Sequence, residues 1–254
     1  MQLIFPKGYI NYETAMSWFD CIKKYNKNSK NNSNETMIYN NDLEKIFVFE
    51  HDNIYTAGKS IQNIKKNKLK TIHNTPVFYA DRGGLWTWHG KGQVIIYFIY
   101  NIYSRNIFLS DFMSAIESVV VENINFEIKR ISNKTPNDIG IKVYADSEKR
   151  GFWVKDLKKN NKEKISKIGF IGLRVLNGFV CHGISINYEN NLDFFNHIIP
   201  CGLNNVKITS IKELLLEKKI NDNYLDIEIF KKHIGNAFLE KLNALHGEKK
   251  RSHK

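Results

Sequence analysis

Apolar positions along the chain follow two different periods. Over residues 12–25 they fall at Ala15, Met16, Phe19 and Ile22, the three-and-four spacing of a helix with one buried face. Residues 44–50, with Ile46-Phe47-Val48-Phe49, and residues 76–80 and 93–100 have the length and the β-branched or aromatic content of buried strands. The helical period returns at Phe112, Ala115, Ile116, Val119 and Val120, with Ser110 as the expected N-cap. Residues 126–131, 139–144 and 151–154 read as short strands. Residues 165–175 and 178–187 read as a strand pair meeting at Leu176-Asn177-Gly178, because an Asn-Gly step tolerates the positive φ angles of a tight hairpin turn. Residues 209–219 and 224–245 are expected helices, the second with the stripe Ile227, Phe230, Ile234, Phe238, Leu242 and Leu245. Between these elements, the Asn- and Lys-rich stretches 26–41 and 61–74 hold too few apolar residues to pack and are expected as loops, and the charged stretch 155–164 as a hairpin or loop.

Strands and helices intermix without a regular strand–helix–strand alternation. That predicts an α+β fold, with mixed β-sheets flanked by helices on one side. No repeat and no linker divides the chain, so residues 1–245 are expected as one domain, with a small helical lobe at 209–245 as the alternative. Residues 246–254 form a basic tail expected to be disordered.

Composition narrows the class. A hydrophobic share of 42% and a charged share of 25% fit a soluble globular protein. No stretch reaches the ~18 apolar residues of a membrane helix, and the first ten residues lack the layout of a secretory signal. A cytoplasmic protein is expected. The net charge of +12 favours acidic partners, but the lysines are scattered among Asn and Ile, as a genome-wide compositional bias would leave them. The three cysteines, Cys21, Cys181 and Cys201, are odd in number and widely spaced, which suits free thiols rather than a disulfide framework or a metal site. Cys21, within the expected first helix, reads as a small buried hydrophobe.

Four segments carry candidate chemistry. Asp81-Arg82-Gly83-Gly84-Leu85-Trp86-Thr87-Trp88-His89-Gly90-Lys91-Gly92-Gln93 joins two strands, and its glycines let backbone approach a neighbour closely. It is not a phosphate-binding P-loop, since Lys91 is not followed by Ser or Thr. Lys167 lies among glycine and apolar residues, Ile168 to Gly172, flanks that desolvate an ammonium and lower its pKa; a solvated strand-edge lysine is the commoner case. In Cys181-His182-Gly183-Ile184-Ser185, His182 sits in an apolar strand, where a satisfied core histidine is the plainer reading, and Cys181 reads as packing. In Pro200-Cys201-Gly202, the flanking residues make a tight turn that presents a thiol, with backbone N–H groups near enough to lower its pKa or hold an oxyanion.

Together these segments resemble the lipoyl(octanoyl) transferase family. Its pattern runs Arg-Gly-Gly, then Thr-x-His-Gly-x-Gly-Gln, Lys-Ile with Gly-x-Arg-Val, His-Gly with Asn, and Pro-Cys-Gly, all present here in that order. Tyr55-Thr56 and Gly58 resemble a further upstream motif, so the resemblance spans about residues 44–215. Two departures stand out: Lys91 where the family often has Pro, and an enlarged segment at 155–164.

The resemblance implies a biotin/lipoate protein ligase-like catalytic domain and a two-step acyl transfer. Cys201 would take an octanoyl group from octanoyl-acyl carrier protein as a thioester. The lysine of a lipoyl domain, on a 2-oxoacid dehydrogenase complex or the glycine cleavage H protein, would then accept it, the first step of endogenous lipoate synthesis. Lys167 would be the acid/base partner. Arg82, Gly83, Gly84, Leu85, Trp86, Thr87, Trp88 and His89, with Phe170, Ile171, Gly172, Gly183, Ile184 and Ser185, would line the acyl channel, supported by His182. No cofactor, metal, nucleic acid or membrane is implied.

Covalent catalysis by a thiolate splits the transfer into two easier steps. The rival enzyme readings are an ATP-dependent lipoate or biotin protein ligase, which needs no nucleophilic cysteine, and an amidotransferase moving octanoyl groups between lipoyl proteins. A basic binding module without catalysis is the non-enzyme alternative.

Overall fold

The computed structural model describes residues 1–23, 43–62, 68–157, 164–200, 202 and 206–245. The expected loop at 26–41, most of that at 155–164, the tail at 246–254 and Cys201 itself lie outside the described residues.

Nine strands among the described residues build one large sheet. Its order is β1 (Gln2–Ile4), β3 (Lys45–His51), β8 (Gln93–Asn101), β12 (Phe179–Asn187), β11 (Lys164–Leu176), β10 (Gly151–Asp156) and β9 (Ile141–Asp146), with β2 (Tyr9–Ile10) beside β3 and β13 (Lys207–Ile208) beside β11. Pairing is antiparallel from β3 to β9, whereas β1, β2 and β13 lie parallel to their neighbours, so the sheet is mixed. The β11–β12 hairpin turns at Asn177 (φ 54°) and Gly178 (φ 81°), the two positive φ angles that an Asn-Gly turn provides.

A second, four-stranded sheet has the order β5 (Thr71–Ile72), β6 (Thr75–Tyr79), β4 (Ile54–Ala57) and β7 (Trp86–His89). Two sequence expectations change here. The Gly-rich segment 81–93 contains a strand of its own, β7. The stretch 61–74 holds the end of a short helix, Lys59–Gln62, and a hairpin turned at His73 and Asn74, both with positive φ.

Helices cover one face of the large sheet. The 24-residue helix Leu109–Ser132 turns Phe112, Ala115, Ile116, Val119, Val120, Ile124, Ile128 and Ile131 inward at alternating steps of three, one and four. Against them pack Val94, Ile96, Phe98, Val180, Ile184 and Ile186 from the sheet, and Phe230, Ile234, Phe238 and Leu242 from the helix Ile227–Ala244. Each large apolar side chain buried there contributes roughly 1.5–3 kcal/mol.

The expected strand at 126–131 is therefore the last turns of a helix. Its Phe and Ile content favours strands, but Ile124, Ile128 and Ile131 continue the helical stripe into the core, and packing outweighs the local preference. Phe126 points outward and stacks on His233 of the neighbouring helix. Nor is Ser110 the N-cap: the helix begins after Phe108, whose N–H donates to the Asp111 carboxylate at 3.3 Å. The first helix is also shorter than expected, Tyr12–Ser17, with a turn at Trp18 and Phe19 before helical residues resume at Asp20. Among the described residues no helix is long and apolar enough to cross a membrane.

Candidate active site

The face of the large sheet opposite these two long helices carries the first helical segment, through Ala15, Phe19 and Ile22, and the small sheet, and Lys167 reaches that face through a register shift. Phe152 pairs with Gly169, but Trp153 pairs with Lys167, so Ile168 is an extra residue in β11, a bulge. Side chains alternate along a strand, and one inserted residue reverses the parity. Ile168 accordingly packs into the helix-side core, while Lys167 joins Phe170 and Trp153 on the other face. Lys167 Nζ lies 4.7 Å from the Trp153 ring centre and 5.4 Å from that of Phe170. It donates to the carbonyls of Arg150 at 2.7 Å and Lys149 at 3.2 Å. Lys167 is fully buried. Gly151 makes room for it: a Cβ there, on a backbone with φ 138°, would stand 2.7 Å from Lys167 Cε.

The facing wall is held by Arg82. Its guanidinium donates to the Thr56 carbonyl at 2.9 Å, the Thr56 hydroxyl at 2.6 Å, the Leu85 carbonyl at 3.1 Å and the Gly83 carbonyl at 2.9 Å. One cation thereby ties strand β4 to the loop preceding β7. The backbone adds Gly58 N–H to the Leu85 carbonyl and Lys59 N–H to the Arg82 carbonyl, at 3.1 and 3.0 Å. Gly58 is needed for this clamp, since a Cβ there would collide with the carbonyls of Gly83 and Gly84.

A directional hydrogen-bond chain joins the two walls. The Thr209 N–H donates to the Lys167 carbonyl, the Asn187 amide to the Thr209 carbonyl and the Gln93 amide to Asn187 Oδ1, each at 2.9 Å. That leaves Gln93 Oε1 as the acceptor, 2.7 Å from His89 Nδ1, which fixes the proton on Nδ1 and the lone pair on Nε2. Burial and the nearby His51 push the His89 pKa well below its usual value, so the ring is neutral. Burial also lowers His51 to about 4, and burial with the charges of Arg82, Arg174 and Lys23 lowers His182 to about 3. His182 adopts φ 59° in mid-strand, and this reversed backbone turns its ring toward Phe19 and Tyr97 on the site face. Cys181 is buried, with its thiol pushed up to about 12 by burial, as an inert packing group would be.

Between the sheets lies a narrow cavity of about 40 Å³. Most of the sequence-derived candidates converge on it: Arg82, Gly84, Leu85, Trp86, Thr87, His89, Phe170, Ile171, Gly172, His182, Gly183, Ile184 and Ser185. Gly83 lines an adjoining groove of about 670 Å³ instead. Trp88 lies outside the cavity, stacked on Phe194 at 4.6 Å. On the other side a second groove of about 670 Å³ runs past Trp86, His197, Ile198, Ile199 and Gly202. Leu85 borders all three spaces. The residues flanking Cys201 are tied to this junction: Pro200 bridges to Trp86, and the Gly202 N–H donates to the Ile199 carbonyl at 3.2 Å. A Cβ on Gly202 would collide with Leu85.

Sequence reasoning missed Tyr97, hidden in an apolar run, and His51, whose Nε2 lies 3.1 Å from the Tyr97 hydroxyl. It also missed the orienting roles of Thr56, Gln93 and Asn187. All three stand in the motifs quoted above, which was the available signal.

With this geometry in view, the likeness to known proteins is specific. The fold matches protein Ta0514 of T. acidophilum, with a TM-score of 0.57 at 12% identity over 96% of this chain and 86% of that one. It also matches lipoate-protein ligase A bound with ATP, with a TM-score of 0.55 at 13% identity over 98% and 89%. A model of the lipoyl protein ligase A/B catalytic domain matches residues 11–239, which defines the class of this fold and site. Proteins named octanoyltransferase are similar over nearly three quarters of this chain. That of Rickettsia rickettsii (strain Sheila Smith) is 34% identical over 188 residues, 73% of this chain and 81% of the relative. That of Rickettsia bellii (strain OSU 85-389) is 36% identical over 192 residues, 74% and 83%. The chain belongs to the lipoyl(octanoyl) transferase family and is an acyltransferase.

Proposed function

We propose that this protein moves an octanoyl group from octanoyl-acyl carrier protein to the lysine of a lipoyl domain through a thioester on Cys201. The observation that carries the reading is the placement of Lys167: a fully buried amine held by two backbone carbonyls on the site face, next to Phe170 of the cavity wall. The names of the relatives above support the octanoyl group as cargo. An apolar mouth at Leu85 and Trp86 suits an alkyl chain. The net charge of +12 favours encounter with acidic carrier and lipoyl domains. We place residues 1–245 in one catalytic domain working in the cytoplasm.

In the first step the Lys167 amine takes the Cys201 thiol proton, and the thiolate attacks the carbonyl carbon of the donor thioester. The carbon–sulfur bond to the carrier breaks, and the departing thiolate recovers the proton from Lys167. In the second step the acceptor amine attacks the Cys201 thioester and gives its proton to Lys167. An amide forms, Cys201 leaves, and Lys167 reprotonates it. Thioester exchange is nearly isoenergetic and amide formation is downhill, so neither step calls for ATP.

The test is an intact mass of the full chain after incubation with octanoyl-acyl carrier protein without ATP. Wild type should gain one octanoyl group, released by hydroxylamine and discharged by a lipoyl domain, and Cys201→Ser should gain none. An adduct carried equally by Cys201→Ser, or transfer seen only with ATP, would overturn the proposal.

A further inference from the structure

An acceptor lysine reaches the enzyme as an ammonium, since at an ordinary pKa of ~10.4 only about one in 2,500 is free amine at pH 7. An ammonium has no lone pair, so it must shed one proton before it attacks and a second as the amide forms. Lys167 receives the second. The first needs a base where the acceptor arrives, and His197 borders the groove that runs past Trp86 to Gly202. Its Nδ1 lies 3.0 Å from the Tyr55 hydroxyl, which donates to the Phe194 carbonyl at 2.8 Å. A carbonyl only accepts, so the Tyr55 proton is committed to Phe194, and His197 Nδ1 donates to the Tyr55 oxygen. That leaves the ring's lone pair on Nε2. The His73 ring stacks on His197 with centres 3.9 Å apart and planes 25° from parallel, a second contact that fixes the imidazole. The residue is nonetheless exposed, within reach of an arriving side chain.

The two grooves that meet at Leu85 offer an ammonium different surroundings. One carries Glu117, Glu148, Lys149, Arg150 and Arg174, and its carboxylates would hold an ammonium in the charged form. The other presents Ile61, Leu69, Ile72, Trp86, Ile198 and Ile199, with no carboxylate, lysine or arginine among its described lining residues. The titratable groups there are His197 itself and, in contact with it, His73 and Tyr55. Apolar walls favour the neutral amine over the ammonium. This groove also reaches Gly202, the residue after Cys201. We infer that it admits the acceptor lysine and that His197 is the base that takes the lysine's first proton. An ammonium N–H bond breaks and the proton passes to His197 Nε2. The freed amine attacks the Cys201 thioester, its second proton goes to Lys167, and the imidazolium returns its proton to solvent. The inference rests on the acyl-transfer reading above and assigns that reaction a second base.

The experiment follows the two half-reactions of the full-length protein separately by intact mass: loading from octanoyl-acyl carrier protein, then discharge by a lipoyl domain. At pH 7, His197→Gln should lower the ratio of discharge rate to loading rate at least tenfold against wild type, the low end for loss of a general base. At pH 9.5 about one lysine in nine is already free amine, so the same ratio should return to within threefold of wild type. Tyr55→Phe, which keeps the ring but frees the imidazole to change tautomer, should shift the ratio in the same pH-dependent way by a smaller factor. A ratio lowered less than tenfold by His197→Gln at pH 7, or lowered equally at both pH values, overturns the role of His197. No adduct on wild type instead overturns the transfer reading, and this inference with it.

Discussion

On the helix side of the large sheet, strands β8 and β12 present Val94, Ile96, Phe98, Val180, Ile184 and Ile186. On the side turned to the small sheet, the same strands present Ile95, Tyr97, Cys181, Ser185 and, through its reversed backbone, His182. The helix side closes by shape, since nearly every side chain is apolar and close packing satisfies it. The other side is apolar where Ala15, Phe19 and Ile22 cover Phe47, Phe49, Ile95 and Ile99, and around the site it closes by hydrogen bonds, with Arg82, His51, His89, Gln93, Asn187 and Lys167 all buried and held by specific partners. One backbone thus serves two separable tasks, and damage to one side should register in a different measurement from damage to the other.

The largest separation is expected at Lys167. Lys167→Met keeps most of the side-chain volume but removes the amine, and octanoyl transfer to a lipoyl domain should fall by about 10²–10⁴-fold. Initial rates measure this, and transfer within tenfold of wild type would end the case for Lys167 as acid/base.

Phe112→Ala is the converse. The ring is fully buried against Phe98 at 5.4 Å, so its loss should cost about 3–5 kcal/mol in urea unfolding, while kcat well below the melting range stays within threefold. A large fall in kcat for the folded variant would show the two sides to be coupled.

Acid should act mainly through the polar side. Burial holds His51 at about 4 and His182 at about 3 in the folded protein, against about 6.5 when unfolded. The unfolded chain then binds more protons below pH 6.5. Stability is therefore full above that value and falls as pH drops toward 4, by about 1.4 kcal/mol per pH unit for each histidine. His182→Asn, which suits the left-handed backbone, should remove one such increment from the slope of unfolding free energy against pH.

The smallest effect is expected at Ser110→Ala. A helix N-cap serine contributes ~1 kcal/mol, but Ser110 lies inside the first turn, so its loss should change urea stability by less than about 0.5 kcal/mol.

How far the chain could be read in advance follows the same division. The long strands of the large sheet and the helix at 227–244 announce themselves through period, and the β11–β12 turn through Asn177-Gly178, whereas β1, β2 and β13, two or three residues each, are too short to show one. The helix side misled at 126–131, where local preference and packing disagree, and at Ser110, where the helix starts one residue before the expected cap. On the polar side, residue types were legible and orientation was not. Nothing local to Lys167 announces the bulge at Ile168, because it exists only relative to β10. The hold of Arg82 on Thr56 spans 26 residues, and the link from Gln93 to Asn187 spans 94. Such partners are fixed by the tertiary fold and carry no signature in their own neighbourhoods.

The bulge at Ile168 also determines which kind of mutation this site is most exposed to. Deleting Ile168 would leave Phe152 opposite Gly169 and Trp153 opposite Lys167, so β11 would regain plain alternation with Lys167 still on the site face. One residue inserted between Phe152 and Trp153 would do the reverse: Ile168 would gain a partner, and with Phe152 and Gly169 in place Lys167 would exchange faces and point its amine into the helix-side core. For this enzyme, a change of count within β10 is more dangerous than a change of letter in β11. Relatives that keep the lysine but carry one residue more at that point of β10 should be poor catalysts, however similar they look position by position.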